Sequence, residues 1–328
     1  MRGVAKDLIN SYLTNRKQFV QVNGSKSEYL PITCGVPQGS VLGLLLFLIF
    51  INDIVNSCPA AKLCIFADDT SVFLSNTCIN QLLIQSEHTI MQLMNWFEAN
   101  KLTLNTSKTN FIIFRNSQKT LLNLPDKINI NGNEIYKTDK IKYLGVFIDE
   151  HLTWKHHIIE LCNSLRRYFP IFYNIRSLLS LENCRTIYYT NIYSRIKYGI
   201  PIYGMANSVD LNALQTLQNK LLKVLLSRTH LFPTNQLHND LNILKICNIF
   251  SQEVLNFVYS QFYNLLPEIF KDYYVTFSNI HNICTRDHDI RFIIPKHNSE
   301  LDASTVKVLG ATLWNEFPKR LKKCSIIK

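Results

Sequence analysis

Several things are missing from this sequence, and each absence narrows what the chain can be. No apolar run reaches the roughly 18 residues that a membrane span needs, and the run at 41–51 is closed by Asn52 and Asp53. The opening MRGVAKDLINSYL puts Asp7 and Asn10 where a secretory signal requires an unbroken apolar core, so export is not expected. The nine cysteines (34, 58, 64, 78, 162, 184, 247, 284 and 324) include no CxxC pair and no Cys/His quartet at zinc spacing, which argues for scattered reduced thiols in an intracellular compartment. There is no internal repeat and no low-complexity tract. Acid is scarce as well: 24 Asp and Glu against 35 Lys and Arg leave a net charge of +11. That balance suits a polyanion, either nucleic acid or an acidic membrane surface, and charge alone does not choose between them.

What is present is a folded chain. At 328 residues and 47% hydrophobic it can bury a sizeable core in two domains or three small ones. Residues 17–33 alternate around Asn23-Gly24, a strong hairpin signal, and Gly35, Pro37 and Gly39 then break the strand. The run VLGLLLFLIFI at 41–51 is apolar on every side, which predicts a helix enclosed all round. LCIFADDTSVFLS at 63–75 reads as strand, turn and strand, with Asp68 and Asp69 at the tip. Helical spacing of Leu82, Leu83, Ile90, Leu93, Met94 and Phe97 follows over 79–102. Strands are expected at 109–115, on both sides of Asn131-Gly132, and at 141–149.

To this point the chain is α+β. From Leu152 it turns to long amphipathic segments at 153–179, 181–198 and 208–228, which places a boundary near residue 150. Residues 151–230 hold ten Lys or Arg against three acids, interleaved with Tyr168, Phe169, Phe172, Tyr173, Tyr188, Tyr189 and Tyr193. The bland reading is core aromatics behind a solvated basic face; the sharper one is a nucleic-acid surface. RDHDIRFIIPK and LWNEFPKRLKK suggest a small basic tail over 231–328.

Two aspartates between apolar strands are expensive to bury unless paired or holding a cation, and unremarkable in an exposed turn. Hairpin-tip carboxylates are hard oxygen ligands that hold Mg²⁺ while leaving positions for phosphates, as two-metal phosphoryl transfer requires. Two neighbours at one turn cannot enclose two ions, so a third acid must come from another strand.

GVPQGS, the apolar run ending INDI, FADDT, NWFEANKLTLNTSKT and YLGVFID, in that order, resemble consecutive motifs of a reverse transcriptase of the non-LTR retrotransposon type, particularly the jockey-like elements. SYLTNRKQFVQVNG, LTWKHHI and FPKRL extend the likeness through most of the chain. The resemblance implies an incomplete polymerase palm at 1–150 (an antiparallel sheet with packed helices), a helical thumb at 151–230 and a basic C-terminal region at 231–328. It implies an RNA-directed DNA polymerase working by two-metal nucleotidyl transfer, with Asp68 and Asp69 as metal ligands for Mg²⁺ or Mn²⁺. Pro37, Gln38 and Gly39 would contact nucleotide and template, and Tyr143, Leu144 and Gly145 would form the primer grip. Lys108 stands where the family has a lysine suited to neutralise or protonate pyrophosphate; read from the residues alone it is equally a solvated strand-edge lysine. Leu44 replaces the usual proline of the family, a change expected to affect packing more than chemistry.

The partners implied are an RNA template, a DNA primer and dNTPs in the nucleus, with the basic helices following the nucleic-acid backbone and no membrane. The family's first catalytic aspartate lies on a strand expected upstream of Met1, since Asp7 and Glu28 stand in the wrong contexts to replace it. Little polymerase activity is therefore expected from the chain alone. The competing expectation is a non-catalytic nucleic-acid-binding remnant of the same element; a group II intron maturase palm is a more distant third.

Overall fold

The computed structural model describes residues 2–37, 39–118, 124–130, 132–277, 290–297, 300–318 and 322. It divides into two compact units, one formed by Met1–Phe111 and Asn123–Lys137, the other by Ile112–Leu122 and Thr138–Lys328. Helices and small sheets are mixed, and among the described residues the strands stand in five separate sheets. No helix among the described residues is long and apolar enough to cross a membrane.

The first unit opens with α1 (Val4–Leu13), followed by β1 (Lys17–Gln18), β2 (Gln21–Val22), β3 (Ser25–Lys26) and β4 (Leu30–Pro31). These nest as one hairpin, β2 on β3 and β1 on β4. The predicted Asn23-Gly24 turn is there, with φ of 47° and 86°, the paired positive values a type I′ loop needs. Next come α2 (Val41–Ile51), a 3₁₀ turn (Asn52–Ser57), β5 (Lys62–Phe66), β6 (Asp69–Phe73) and α3 (Ile79–Ala99). Ile51, Ile54, Cys58 and Leu93 form the core of this stretch, with Phe47, Leu63, Ile65, Val72, Trp96 and Phe97 packed on it.

Helix α2 corrects the expectation of full enclosure. Only Gly43 and Ile51 are buried, while Val41, Leu44, Leu45, Leu48, Ile49 and Phe50 are exposed. An all-apolar helix has no preferred side from sequence, and this unit offers a partner to one stripe alone, Gly43, Phe47 and Ile51 at intervals of four residues.

The unit ends with β7 (Asn110–Phe111), β8 (Lys127–Ile130) and β9 (Asn133–Lys137), in the order β7-β9-β8. β8 and β9 form the predicted hairpin; Gly132 has φ 79°, and Asn131 lies outside the described residues. β7 is shorter than the strand expected at 109–115. From Ile112 the chain belongs to the second unit, where Arg115 donates its backbone N–H to Glu150 O at 3.0 Å and pairs with the Glu150 carboxylate at 3.1 Å.

The second unit starts with the hairpin β10 (Lys140–Tyr143) and β11 (Val146–Asp149). The Asp149 carboxylate then accepts the backbone N–H groups of His151 (3.2 Å), Thr153 (3.0 Å) and Trp154 (2.9 Å), which launches α4 (Lys155–Arg166). Burial works against its charge, yet those donors outweigh it and hold the carboxyl below its usual range. There follow α5 (Tyr168–Ile175), α6 (Leu181–Tyr188) running through a π turn into α7 (Ser194–Lys197), α8 (Ile200–Tyr203), α9 (Ser208–Leu225), α10 (Thr234–Leu241) and α11 (Ile246–Phe262). Their apolar stripes meet in one core that includes Leu165, Phe172, Tyr188, Ile192, Ile196, Tyr203, Leu214 and Leu221. Each fully buried side chain of this kind contributes about 1.5–3 kcal/mol.

Gln218, wholly buried, is satisfied by donating to Tyr188 Oη at 2.7 Å and Leu244 O at 3.0 Å. A second cluster joins Val254 and Val258 of α11 to Tyr274, Phe292, and Ala311 and Trp314, the last two on a helix at the end of the unit. There α12 (Glu300–Ala303) precedes that helix, α13 (Val306–Glu316). Residues 286–289, 319–321 and 323, within the two basic tail motifs, lie outside the described residues.

Candidate active site

The hairpin β5–β6 pairs Phe66 with Asp69, so its loop is only Ala67-Asp68. Asp68 sits in the loop, Asp69 opens β6, and both are exposed. Strand alternation turns Leu63, Ile65, Thr70 and Val72 to one face, and of these Leu63, Ile65 and Val72 pack on the core beside α3. Asp69 falls on the opposite face with Phe66 and Cys64, where a carboxylate keeps its hydration. The turn has no glycine, and Ala67 carries φ 51°, a left-handed conformation that an L-residue resists. Thr70 Oγ1 is buried with no hydrogen-bond partner.

Residues 34–43 form the second element. Ser40 is the N-cap of α2: its Oγ accepts the Gly43 N–H at 3.0 Å and the Tyr12 hydroxyl of α1 at 2.6 Å, and donates to Pro37 O at 2.7 Å. From the other side Arg16 donates through Nη2 to Cys34 O at 3.2 Å and to Gly35 O, and through Nε to Leu13 O at 3.1 Å. Pro37 is half-buried and Gly39 is exposed with φ 78°; Gln38 lies outside the described residues. A Cβ at Gly43 would come within 2.7 Å of Ser40 Oγ and 2.8 Å of Pro37 O, so this loop fits only over a glycine. Tyr12, Arg16, Ser40 and Gly43 were not singled out from sequence. SYLTNR carried the only signal, and it is joined to the loop by bonds between residues as many as 28 apart.

Lys108 is exposed in the turn that precedes β7, its N–H bonded to Asn105 O at 3.1 Å. Tyr143, Leu144 and Gly145 lie at the tip of β10–β11, in the second unit. Leu144 and Gly145 have φ of 45° and 86°, and the Leu144 carbonyl accepts the Tyr198 hydroxyl at 2.5 Å. The basic stretch of that unit keeps its cations close to aromatic rings. Arg176 lies 4.0 Å from the Tyr173 centroid, Arg228 4.9 Å from that of Phe232, Arg185 5.6 Å from that of Tyr189 and Arg195 5.6 Å from that of Tyr168.

Among the described residues no group of three or more His, Cys, Asp or Glu comes together that could hold a metal ion. Asp68 and Asp69 offer hard oxygen donors of the kind Mg²⁺ takes, but by themselves they do not fit a two-ion centre, which needs a further carboxylate.

Residues 2–148 match the family described as reverse transcriptase (RNA-dependent DNA polymerase), and that segment of the chain belongs to the family. Its relatives include proteins described as RNA-directed DNA polymerases of mobile elements and transposons. The chain is 31% identical over 249 residues to the RNA-directed DNA polymerase from mobile element jockey of Drosophila funebris, covering 73% of this chain and 27% of that protein. It is 29% identical over 252 residues to the probable RNA-directed DNA polymerase from transposon X-element of Drosophila melanogaster, covering 75% and 27%. The corresponding protein from transposon BS of the same species is 29% identical over 248 residues, covering 72% and 27%. The chain thus spans about a quarter of the length of the curated relatives it matches.

Proposed function

We propose that this chain is a segment of an RNA-directed DNA polymerase, with Asp68 and Asp69 as two of the carboxylates that hold its divalent ions, Mg²⁺ or Mn²⁺. The observation that carries the reading is the two-residue loop of β5–β6, which presents both carboxylates, exposed, at one tip within the family-matched segment. Such ions would activate a primer 3′-hydroxyl and stabilise leaving pyrophosphate. The chain's own residues are assigned positioning work: Pro37, Gln38 and Gly39 against the incoming dNTP and template, Tyr143–Gly145 against the primer end, and Lys108 as a cation for pyrophosphate. In this reading residues 1–150 are palm and 151–230 are thumb, whose lysines and arginines follow the backbone of an RNA–DNA duplex.

No third carboxylate joins Asp68 and Asp69 among the described residues, and on this reading the chain by itself is a poor catalyst. Primer extension on an RNA template with Mg²⁺, using the purified chain, is expected to give little incorporation. Robust incorporation that Asp68→Ala abolishes would overturn the idea of an incomplete site while supporting the role of Asp68.

A second reading, a nucleic-acid-binding remnant without turnover, is favoured by the cations set against aromatic rings in the helical unit. Duplex binding unchanged by Asp68→Ala, with no extension under any metal, would select it.

A further inference from the structure

Within the helical unit a cleft of about 430 Å³ opens between the α4–α5 corner and α9, lined by Arg166, Phe169, Ala213, Thr216, Leu217 and Lys220. Its four α9 residues fall at i, i+3, i+4 and i+7, so one helix face makes one wall. Leu217 is buried at its floor, Phe169 is half-buried, and Ala213 and Thr216 are exposed. Arg166 and Lys220 are exposed and stand on different elements of the rim. Arg166 donates through Nη1 to Asn163 Oδ1 at 2.6 Å, and neither cation is paired with a carboxylate among the described residues.

We infer that this cleft seats one unpaired nucleotide of a single-stranded nucleic acid. Phe169 and Leu217 take the flat face of the base, the Thr216 hydroxyl meets its polar edge or the sugar, and Arg166 and Lys220 take the flanking phosphates. The chemistry selects this occupant in three steps. A mostly apolar cavity with an aromatic ring rewards a planar group, and every base has such a face. Two cations at the rim with no carboxylate partner among the described residues, in a stretch with ten basic residues against three acidic ones, reward a group that carries negative charge beside its apolar part. A duplex does not supply that combination, because the flat faces of its bases are stacked inside and it presents outside only phosphates, sugars and base edges. The cleft is therefore a single-strand site, distinct from backbone tracking along a duplex. It rests on the nucleic-acid reading above and adds to it a preference for strands with unstacked bases.

The test uses the full chain and fluorescence anisotropy with labelled oligothymidylate, oligouridylate and a blunt RNA–DNA duplex, the two single strands separating a DNA from an RNA source. Phe169→Leu keeps apolar volume and removes the ring; Lys220→Gln, at an exposed helix position, removes one phosphate contact without touching the core. Phe169→Leu is expected to lower single-strand affinity about tenfold with duplex affinity unchanged. Lys220→Gln is expected to lower single-strand affinity and flatten its logarithmic salt dependence by about 0.7. Thermal unfolding checks that each variant is folded, and if Phe169→Leu is not, Lys220→Gln decides. Unchanged single-strand affinity in the folded variants, with duplex binding intact, would overturn the cleft and leave the wider reading standing; that is the outcome if the cavity seats an apolar side chain of a partner protein. Equal losses on single strand and duplex for Phe169→Leu would overturn it as well. A wild-type chain that binds neither would remove both.

Discussion

Tyr198 donates its hydroxyl to the carbonyl of Leu144 at 2.5 Å and lays its ring over Gly145, where an added Cβ would stand 3.2 Å from Cε1. The tip of β10–β11 is thereby fixed to the turn between α7 and α8. The residue after Tyr198 repeats the arrangement, since a Cβ on Gly199 would meet Val146 Cγ2 at 2.9 Å. Two glycines let the hairpin and the helices close on one another, so the Tyr-Leu-Gly tip is positioned by packing from the helical side.

Gly145→Ala is expected to destabilise the chain by about 1–2 kcal/mol, because φ at this position is 86° and an L-residue resists it. Tyr198→Phe keeps the ring and loses an exposed hydrogen bond, for about 0.5–1 kcal/mol. Urea unfolding of both variants checks the order; a larger loss for Tyr198→Phe would mean that the hydroxyl, not the glycine, holds the tip.

The hairpins were legible because their turns are written locally. Gly24, Gly132 and Gly145 each take the second place in a two-residue loop, with φ between 79° and 86°. Asp68 and Asp69 were legible as tip residues for the same reason, since two apolar runs leave the chain one place to reverse. Helix α2 was legible as a helix and misread as enclosed, because eleven apolar residues state a preference for burial without naming what buries them. The Tyr12–Ser40 and Arg16–Gly35 bonds were not legible, being set by how α1 folds back on the loop. The interleaved arginines and tyrosines of the helical unit were visible as a pattern, which the fold resolves into specific ring–cation pairs.

Ala67 is the exception among these turns, holding φ 51° with no glycine in its loop. Ala67→Gly relieves about 1–2 kcal/mol of left-handed strain and adds about 0.5–1 kcal/mol of chain entropy to be lost on folding, for a net gain of about 0.5 kcal/mol. Ala67→Val, β-branched, is expected to destabilise by about 1 kcal/mol or more. The opposite signs are the test, read from urea midpoints. A loss with glycine would mean that Ala67 is not strained and that its methyl packs usefully.

Ser40 ties three things at once: the start of α2, the Pro37 carbonyl and Tyr12. Ser40→Ala is expected to cost about 1–2 kcal/mol, combining a lost N-cap with two lost side-chain bonds. The Gly43 amide should then exchange faster with solvent than in the parent chain, while the amides of β5 and β6 stay protected. Uniform loss of protection across the unit would show that Ser40 supports the whole fold and not the loop alone.

His157, nearly buried on α4 with its ring centroid 4.6 Å from that of Tyr203, gives the chain an acid-sensitive point. The Phe147 N–H donates to its Nδ1 at 3.4 Å, so the proton sits on Nε2, which is buried and has no partner. Burial first, and the neighbouring His156 second, push its pKa from 6.5 down to about 4. The folded state therefore holds a neutral ring where the unfolded chain binds a proton more readily. The stabilisation is fully present above about pH 6.5 and is lost as pH falls from there towards 4, to a ceiling of roughly 3 kcal/mol. Urea midpoints at neutral pH and near pH 4.5 are expected to diverge in the parent chain and to converge in His157→Leu, once other groups common to both are subtracted. An identical acid response in the two proteins would show that the ring is already protonated in the folded state or that water reaches it.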